Sequence, residues 1–369
     1  MNLDGMLRDK RILVLCGAGG VGKTTTAAAL GVAAARSGRK VLVLTIDPAR
    51  RLAEAMGLKE NGAEPTTVPP ERLYADGPRG EGRLDVWMLE PRIVFERMVR
   101  RMSATESAAR TILEHRLYRF LSELVAGVQE YAAAEALDGF IAEGHYDLIV
   151  LDTPPSRHAL DFLDAPGRLS RFLDERIISL FGPDSGRTGR LWQGAQALVG
   201  KVLDGIFGGG FAQEMRTFVA AFGGLFAGIR LHADRLREHL SSKEAAFLLV
   251  TSPEAAALRE ATFFQEALQA KGLPFAGYVL NRSWARDDGL APAAALKPHA
   301  NNAVDTDAVS ALEHLAGMED ARATAHRSLL ARLAEGLPRG ALAIAAPDAG
   351  ADLEDFRGLV HLGDALTVV

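Results

Sequence analysis

The sequence predicts an α/β protein: a mostly parallel central sheet flanked by helices, with an α-helical subdomain inserted into it. Three observations carry this. Short apolar runs with β-branched members recur along the whole length of the 369 residues, the mark of strands buried on both faces. Helix-patterned sequence separates them, as parallel pairing requires. Two of those separations, approximately 89–143 and 156–243, are helix-patterned throughout and carry no internal repeat or low-complexity linker. One domain over 1–369 with helical insertions is therefore the simplest organisation.

The first run is Arg11-Ile12-Leu13-Val14-Leu15-Cys16, and it enters a glycine-rich turn. From Thr24 the sequence becomes alanine-rich, with high helix propensity, until Ser37-Gly38, where the glycine suits a helix C-terminal cap. Lys40 to Ile46 reads as the second strand, so the first fifty residues form a strand-helix-strand unit with a right-handed crossover. Further strands are expected at Asp147–Asp152, Ala246–Val250, Phe275–Asn281 and Ala341–Ala345. Thr251-Ser252-Pro253-Glu254 carries a helix-start signal.

Composition narrows the function classes. With 42 Lys+Arg against 47 Asp+Glu the net charge is −5, which lacks the basic footprint of a nucleic-acid binder. The lone Cys16 forms no internal bridge and no cysteine-pair metal site, and fits a reducing compartment. Met1 to Lys10 holds Asp4, Arg8, Asp9 and Lys10 and lacks the apolar core of a signal peptide. The longest stretch free of Asp, Glu, Lys and Arg, Thr217 to Ile229, is 13 residues, where a membrane-spanning helix needs about 20. A cytoplasmic protein with no direct membrane span is expected.

The chemistry is concentrated in Gly17-Ala18-Gly19-Gly20-Val21-Gly22-Lys23-Thr24, which matches G-x-x-x-x-G-K-[ST] between a strand and a helix. Glycines let backbone N–H groups turn toward phosphates, and the helix N-terminus adds its positive dipole end. Lys23 neutralises the β- and γ-phosphates, while the Thr24 hydroxyl ligates Mg²⁺. The fold class is thus a P-loop NTPase, with a nucleoside triphosphate and Mg²⁺ as expected ligands and Thr25 continuing the loop. Asp152 ends an apolar strand, where a carboxylate meets the metal, usually through water; a strand-ending turn residue is its other reading. Cys16 reads as a small buried strand residue.

The form Gly-x-Gly-Gly-Val-Gly-Lys-Thr-Thr resembles the deviant Walker A motif of the SIMIBI class of P-loop NTPases. Ile46-Asp47-Pro48-Ala49 is similar to switch I of the arsenite-pump and tail-anchored-protein-targeting ATPase family, and Asp152-Thr153-Pro154-Pro155-Ser156-Arg157-His158 to its switch II. Thr251-Ser252-Pro253-Glu254, Asn281-Arg282 and Ala346-Pro347-Asp348 follow in the family's order. The resemblance implies a nucleotide-gated dimer in which Asp47 positions the attacking water. It implies that Thr153, Pro154 and His158 couple the γ-phosphate to the helical subdomain. Two bland readings stand beside these: Asp47 as a turn residue before Pro48, and His158 as a satisfied polar side chain. Asn281-Arg282-Ser283-Trp284 differs from the Asn-Lys-x-Asp of guanine-specific G proteins, so adenine is favoured, with Asn281, Pro347 and Asp348 as its contacts by resemblance.

Two departures from the family pattern matter. Ala18 occupies the place of a signature lysine that, in the family's dimer, reaches the other subunit's phosphates. Arg157 stands where switch II carries glycine. Ala18 leaves two readings open: an ATPase that relies on Arg50, Arg51 or Arg157 in a homodimer, and a poorly hydrolysing subunit that pairs with a lysine-bearing paralogue. Metalloid activation needs several soft thiolates, which one cysteine does not supply.

The second insertion contains two apolar helical faces, Leu198, Val199, Val202, Leu203, Ile206 and Phe218, Phe222, Leu225, Phe226, Ile229. Eight glycines between Gly200 and Gly228 weaken any helix there by about 1 kcal/mol each where interior. In the targeting branch of the resembled family the insertion holds a hydrophobic client helix; packing of these faces on each other or across a dimer is the alternative. A membrane-positioning role would want a basic amphipathic C-terminal helix, yet Leu359 to Val369 has no Lys or Arg.

Overall fold

Isoleucine, valine and leucine runs buried on both faces demand a covered sheet, and the computed structural model shows one. It describes residues 2–46, 56, 64–78, 80–103, 105–115, 128–153, 231–232, 234–286, 306–348 and 355–367. Asp47, Pro154, Arg157, His158 and the apolar faces between Leu198 and Ile229 lie outside the described residues. The chain divides into two compact units. One comprises Met1–Met88, His145–Ala159 and Leu240–Val369, the other Leu89–Gly144 and Leu160–His239.

In the first unit, α1 (Leu3–Asp9) precedes β1 (Ile12–Cys16), α2 (Lys23–Arg36) and β2 (Lys40–Thr45). Then come β3 (Thr66–Thr67), α3 (Pro70–Leu73) and β4 (Arg83–Met88), with β5 (Leu148–Asp152) after the other unit's residues. β6 (Ala245–Thr251), α7 (Ala255–Ala270), β7 (Phe275–Leu280), α8 (Thr306–Ala334), β8 (Leu342–Ala345) and α9 (Phe356–Thr367) complete it. The eight strands run in the order β3-β4-β2-β5-β1-β6-β7-β8. Every pair is parallel except β3 with β4. This is the α/β sheet the apolar runs predict.

Two strands, β3 and β4, have no counterpart among the strands read from the sequence. In β4 a charge interrupts the apolar run, yet Asp85 is buried. It accepts from Arg83 Nε at 2.8 Å and from the Tyr146 hydroxyl at 2.9 Å, so its desolvation is offset by hydrogen bonds that a local pattern does not reveal. At Thr251–Glu254 the strand continues through Thr251, and Glu254 is the N-cap of α7 without a side-chain cap bond. The Gly38 reading holds: its φ of +101° and its N–H bond to Ala35 O close α2.

β5 pairs with both β1 and β2, so the crossover from β1 through α2 to β2 skips one sheet position that later chain fills. α2 lies under this centre with Ala27, Ala28, Ala29, Leu30 and Val32 buried. The C-terminal helix α9 buries Leu359, Leu362 and Leu366, and a Cβ on Gly363 would sit 2.7 Å from Ala29 O. Those apolar residues belong to the core rather than to a lipid-facing stripe. Among the described residues no helix is long and apolar enough to cross a membrane.

In the second unit, α4 (Pro91–Met102), α5 (Glu106–Glu114) and α6 (Val128–Glu143) bury Met98, Val99, Ile112, Ala133 and Leu137. Glu135 and Asp138 on α6 are also buried. Arg101 pairs with Glu135, Arg235 with Asp138 at 3.1 Å, and His232 Nδ1 lies 3.0 Å from Glu135 Oε2. Burial pushes the Asp138 carboxyl upward, against the pull of His232 and the arginines.

Candidate functional site

The site forms where β1 stops and α2 starts. Gly22, the N-cap of α2, has φ +90°, and a Cβ there would meet Asn281 Nδ2 at 2.1 Å. Gly17 has φ +149°, and its Cβ would meet Val250 O at 2.1 Å. Both positions therefore need glycine on two grounds, backbone conformation and close approach. The sharp turn leaves the first N–H groups of α2 without helical partners, an arrangement suited to an anion.

Lys23 opens the helix and is only 6% exposed. Its Nζ donates to Gly17 O at 3.0 Å and Ala18 O at 2.8 Å, so the ammonium lies back across its own loop. Thr24 follows, and its hydroxyl donates to Asp152 Oδ2 at 2.6 Å. The same carboxylate oxygen accepts from the Thr45 hydroxyl at 2.9 Å. Thr45 is a site residue that sequence reasoning missed. β5 lies between β1 and β2, with Asp152 level with Leu15 on one side and Thr45 on the other. Only that strand order brings the three side chains together.

Asp152 is fully buried. A carboxylate and a hydroxyl meeting at a helix N-terminus form a hard oxygen donor set, which fits Mg²⁺. Thr24 and Asp152 are the residues that would hold the ion.

Thr153 donates from its hydroxyl to Leu15 O at 2.7 Å, which anchors the chain leaving β5 to the end of β1. Cys16 is buried, and desolvation pushes its thiol up to about 12 even though Thr153 hydrogen-bonds to it. It is an inert strand residue in this structure, as its place in the apolar run suggests.

Asn281 lies beyond β7, and its Nδ2 donates to Val21 O at 2.8 Å, tying the phosphate loop to a loop two strands along the sheet edge. The Ala346-Pro347-Asp348 segment runs beside it, with Ala346 N donating to Leu280 O at 2.9 Å and Ser283 N to Ala346 O at 2.9 Å. Arg282 between them has φ +54°, a conformation that side-chain-bearing residues seldom adopt. Trp284 N donates to His326 Nδ1 on α8 at 3.1 Å, and Arg322 stacks 5.3 Å over the Trp284 ring. Glycine loop, buried lysine, threonine, carboxylate and these two loops thus all lie at the carboxyl edge of the sheet, the usual ligand side of such folds.

Ala18, in the place of the lysine expected from the resemblance, is 8% exposed, and its side chain belongs to the core cluster that holds Val21 and Val250.

The family model of the anion-transporting ATPases matches residues 10–289. The chain belongs to that family. This bears out the resemblance read from the P-loop and switch motifs. An ATPase ASNA1 homolog of Entamoeba dispar is 31% identical over 180 residues, covering 45% of this chain and 50% of that protein. An ATPase GET3 of Malassezia globosa is 28% identical over 202 residues, covering 54% and 53%. An ATPase ASNA1 homolog 1 of Paramecium tetraurelia is 27% identical over 161 residues, covering 44% and 45%. The matched region spans about half the length of these relatives.

Proposed function

We propose that this chain is a Mg²⁺-dependent ATPase: it binds ATP at Gly17–Thr25, hydrolyses it, and uses nucleotide state to govern a dimer. The contact of Thr24 with Asp152 at 2.6 Å carries this reading, because it places a hydroxyl and a carboxylate beside a glycine loop and a buried lysine. In this mechanism Lys23 leaves the carbonyls of Gly17 and Ala18 for the phosphate oxygens, where its charge is better compensated. Backbone N–H groups of the loop hold the same oxygens. Thr24 and Asp152 would hold Mg²⁺, which would supply positive charge to compensate the phosphates. Asp47 orients the attacking water, a positioning task that suits one carboxylate beside the phosphates.

Adenine is held by the loops of Asn281 and of Pro347-Asp348. Thr153, Pro154 and His158 transmit nucleotide state to the helical insertions, 89–143 and 156–243, within a single ATPase domain. The apolar faces between Leu198 and Ile229 carry a hydrophobic helical client in the cytoplasm. Relatives named ATPase GET3 and relatives named arsenical pump-driving ATPase both match the chain. What favours the targeting branch over metalloid pumping is the chain's only cysteine, buried and held as a thiol far from the soft thiolate a metalloid needs.

The experiment is steady-state turnover of the purified chain and of Asp47→Asn. The variant is expected to keep Mg-ATP affinity within about threefold and to lose about 100-fold or more in kcat, since only the orientation of water is removed. Equal rates in the two proteins would refute the water-positioning role.

Ala18 favours a second reading, a poorly hydrolysing subunit completed by a lysine-bearing paralogue. Ala18→Lys separates the two. If the chain works alone, the variant changes kcat by less than about threefold; if it is a subunit, parent turnover is near background and the lysine raises it about tenfold or more. The chain's own turnover, measured first, says which outcome applies.

A further inference from the structure

From Val41 to Leu44 the strand β2 is apolar, and Thr45 ends it. Val41 and Val43 share a core cluster with Ala27, Ala28 and Leu30 of α2, and a Cβ on Gly31 of that helix would meet Val43 Cγ2 at 2.3 Å. Leu148 and Val150 of β5 and Leu13 and Leu15 of β1 belong to the same cluster. The two-residue period of a strand therefore carries Thr45 and Asp152 onto the face that looks at α2, level with Leu15. Thr45 is buried there. Packing alone asks for valine at such a place, because a buried hydroxyl costs free energy until it is hydrogen-bonded. The Thr45 hydroxyl donates to Asp152 Oδ2 at 2.9 Å.

The two hydroxyls on that oxygen stand on different supports. Thr24, at 2.6 Å, is the second residue of α2 and follows directly on the glycine loop. Thr45 is carried by the sheet. β2 pairs with β5 from Val41 to Thr45, and the ladder runs on through Ile46 N, which donates to Asp152 O at 3.2 Å. The backbone and the side chain of Asp152 are thus both fastened to the end of β2.

We propose that Thr45 is a positioning residue of the metal site, whose hydroxyl holds the Asp152 carboxylate in one orientation independently of the glycine loop. Mg²⁺ demands near-ideal placement of its oxygen ligands. A carboxylate already fixed by the sheet gives up less freedom when the ion arrives than one that must be ordered at that moment. In this role Thr45 acts through Asp152 alone. The inference rests on the Mg-ATP reading of the site and adds to it a residue that decides how much Mg²⁺ the site requires.

Thr45→Val removes the hydroxyl and keeps the β-branch that a strand favours. ATP binding to the full chain is titrated by calorimetry at graded Mg²⁺ and in chelator. The Mg²⁺ concentration that half-tightens ATP binding is expected to rise at least about tenfold in Thr45→Val, the scale seen when a hydrogen-bond partner of a metal ligand is lost. Affinity in chelator stays within about threefold of the parent, because the phosphate contacts of the loop are untouched. Thr45→Ala, which loses the hydroxyl with a different shape, shifts the same way, whereas Thr45→Ser keeps the donor and stays within about twofold of the parent. In an Asp152→Asn background Thr45→Val shifts the Mg²⁺ requirement by less than about twofold, since the charge it holds in place is gone. An unchanged Mg²⁺ requirement without the hydroxyl, a loss of the same size in Thr45→Ser, an equal loss in chelator, or full additivity with Asp152→Asn would overturn the role. A parent chain without Mg²⁺-dependent ATP binding sinks the nucleotide reading and this role with it. A parent that shows such binding and is matched by Thr45→Val sinks the role of Thr45 alone.

Discussion

Lys23→Ala is expected to weaken Mg-ATP binding at least about 100-fold, a loss of about 2.7 kcal/mol, while the protein stays folded. Lys23 is the first residue of α2, and its ammonium, 6% exposed, is held by two carbonyl oxygens of the glycine loop. A buried cation beside N–H groups that point the same way is a large fraction of the positive field at the site. Alanine keeps the helix start, because it is the best helix former. What the substitution removes is the one side-chain cation of the loop. Calorimetric titration checks the affinity and a thermal melt checks the fold. Unchanged affinity would mean that backbone N–H groups alone hold the phosphates.

Asp152→Asn tests the metal half of the site. The carboxylate is fully buried, and one of its oxygens accepts from both Thr24 and Thr45. Asparagine keeps the shape and one acceptor oxygen but discards the negative charge that attracts a divalent cation. The ratio of ATP affinities with Mg²⁺ and with chelator is therefore expected to fall at least about tenfold, and kcat about 100-fold. Affinity in chelator should hardly change or should rise, since a negative charge near the phosphates is gone. Stability falls by about 1–2 kcal/mol, the usual scale when charged hydrogen bonds become neutral ones. An unchanged Mg²⁺ dependence would place the ion on other ligands.

The parts of the site that lie within one short stretch were legible in the sequence. Gly17 through Thr24 announces both its conformation and its ligand class, because the spacing of glycine, lysine and threonine is itself the local geometry. Asp152 was legible as the polar end of an apolar strand. Thr45 was not, because its hydroxyl matters only once β5 is inserted between β1 and β2, and strand order is a long-range property. β4 escaped notice because the charge of Asp85 breaks the apolar pattern, while its partners Arg83 and Tyr146 come from two sequence regions. Asn281, expected at the base, uses its amide group to hold Val21, so its contribution to the loop's shape is visible only in three dimensions.

The most direct test is a titration of the purified chain with ATP and with GTP, each with Mg²⁺ and with chelator. The account predicts one ATP site per chain, at least tenfold tighter with Mg²⁺ than without it and at least tenfold tighter for ATP than for GTP. Absence of saturable binding, or binding indifferent to Mg²⁺, would contradict the assignment of Lys23, Thr24 and Asp152 as a nucleotide and metal site.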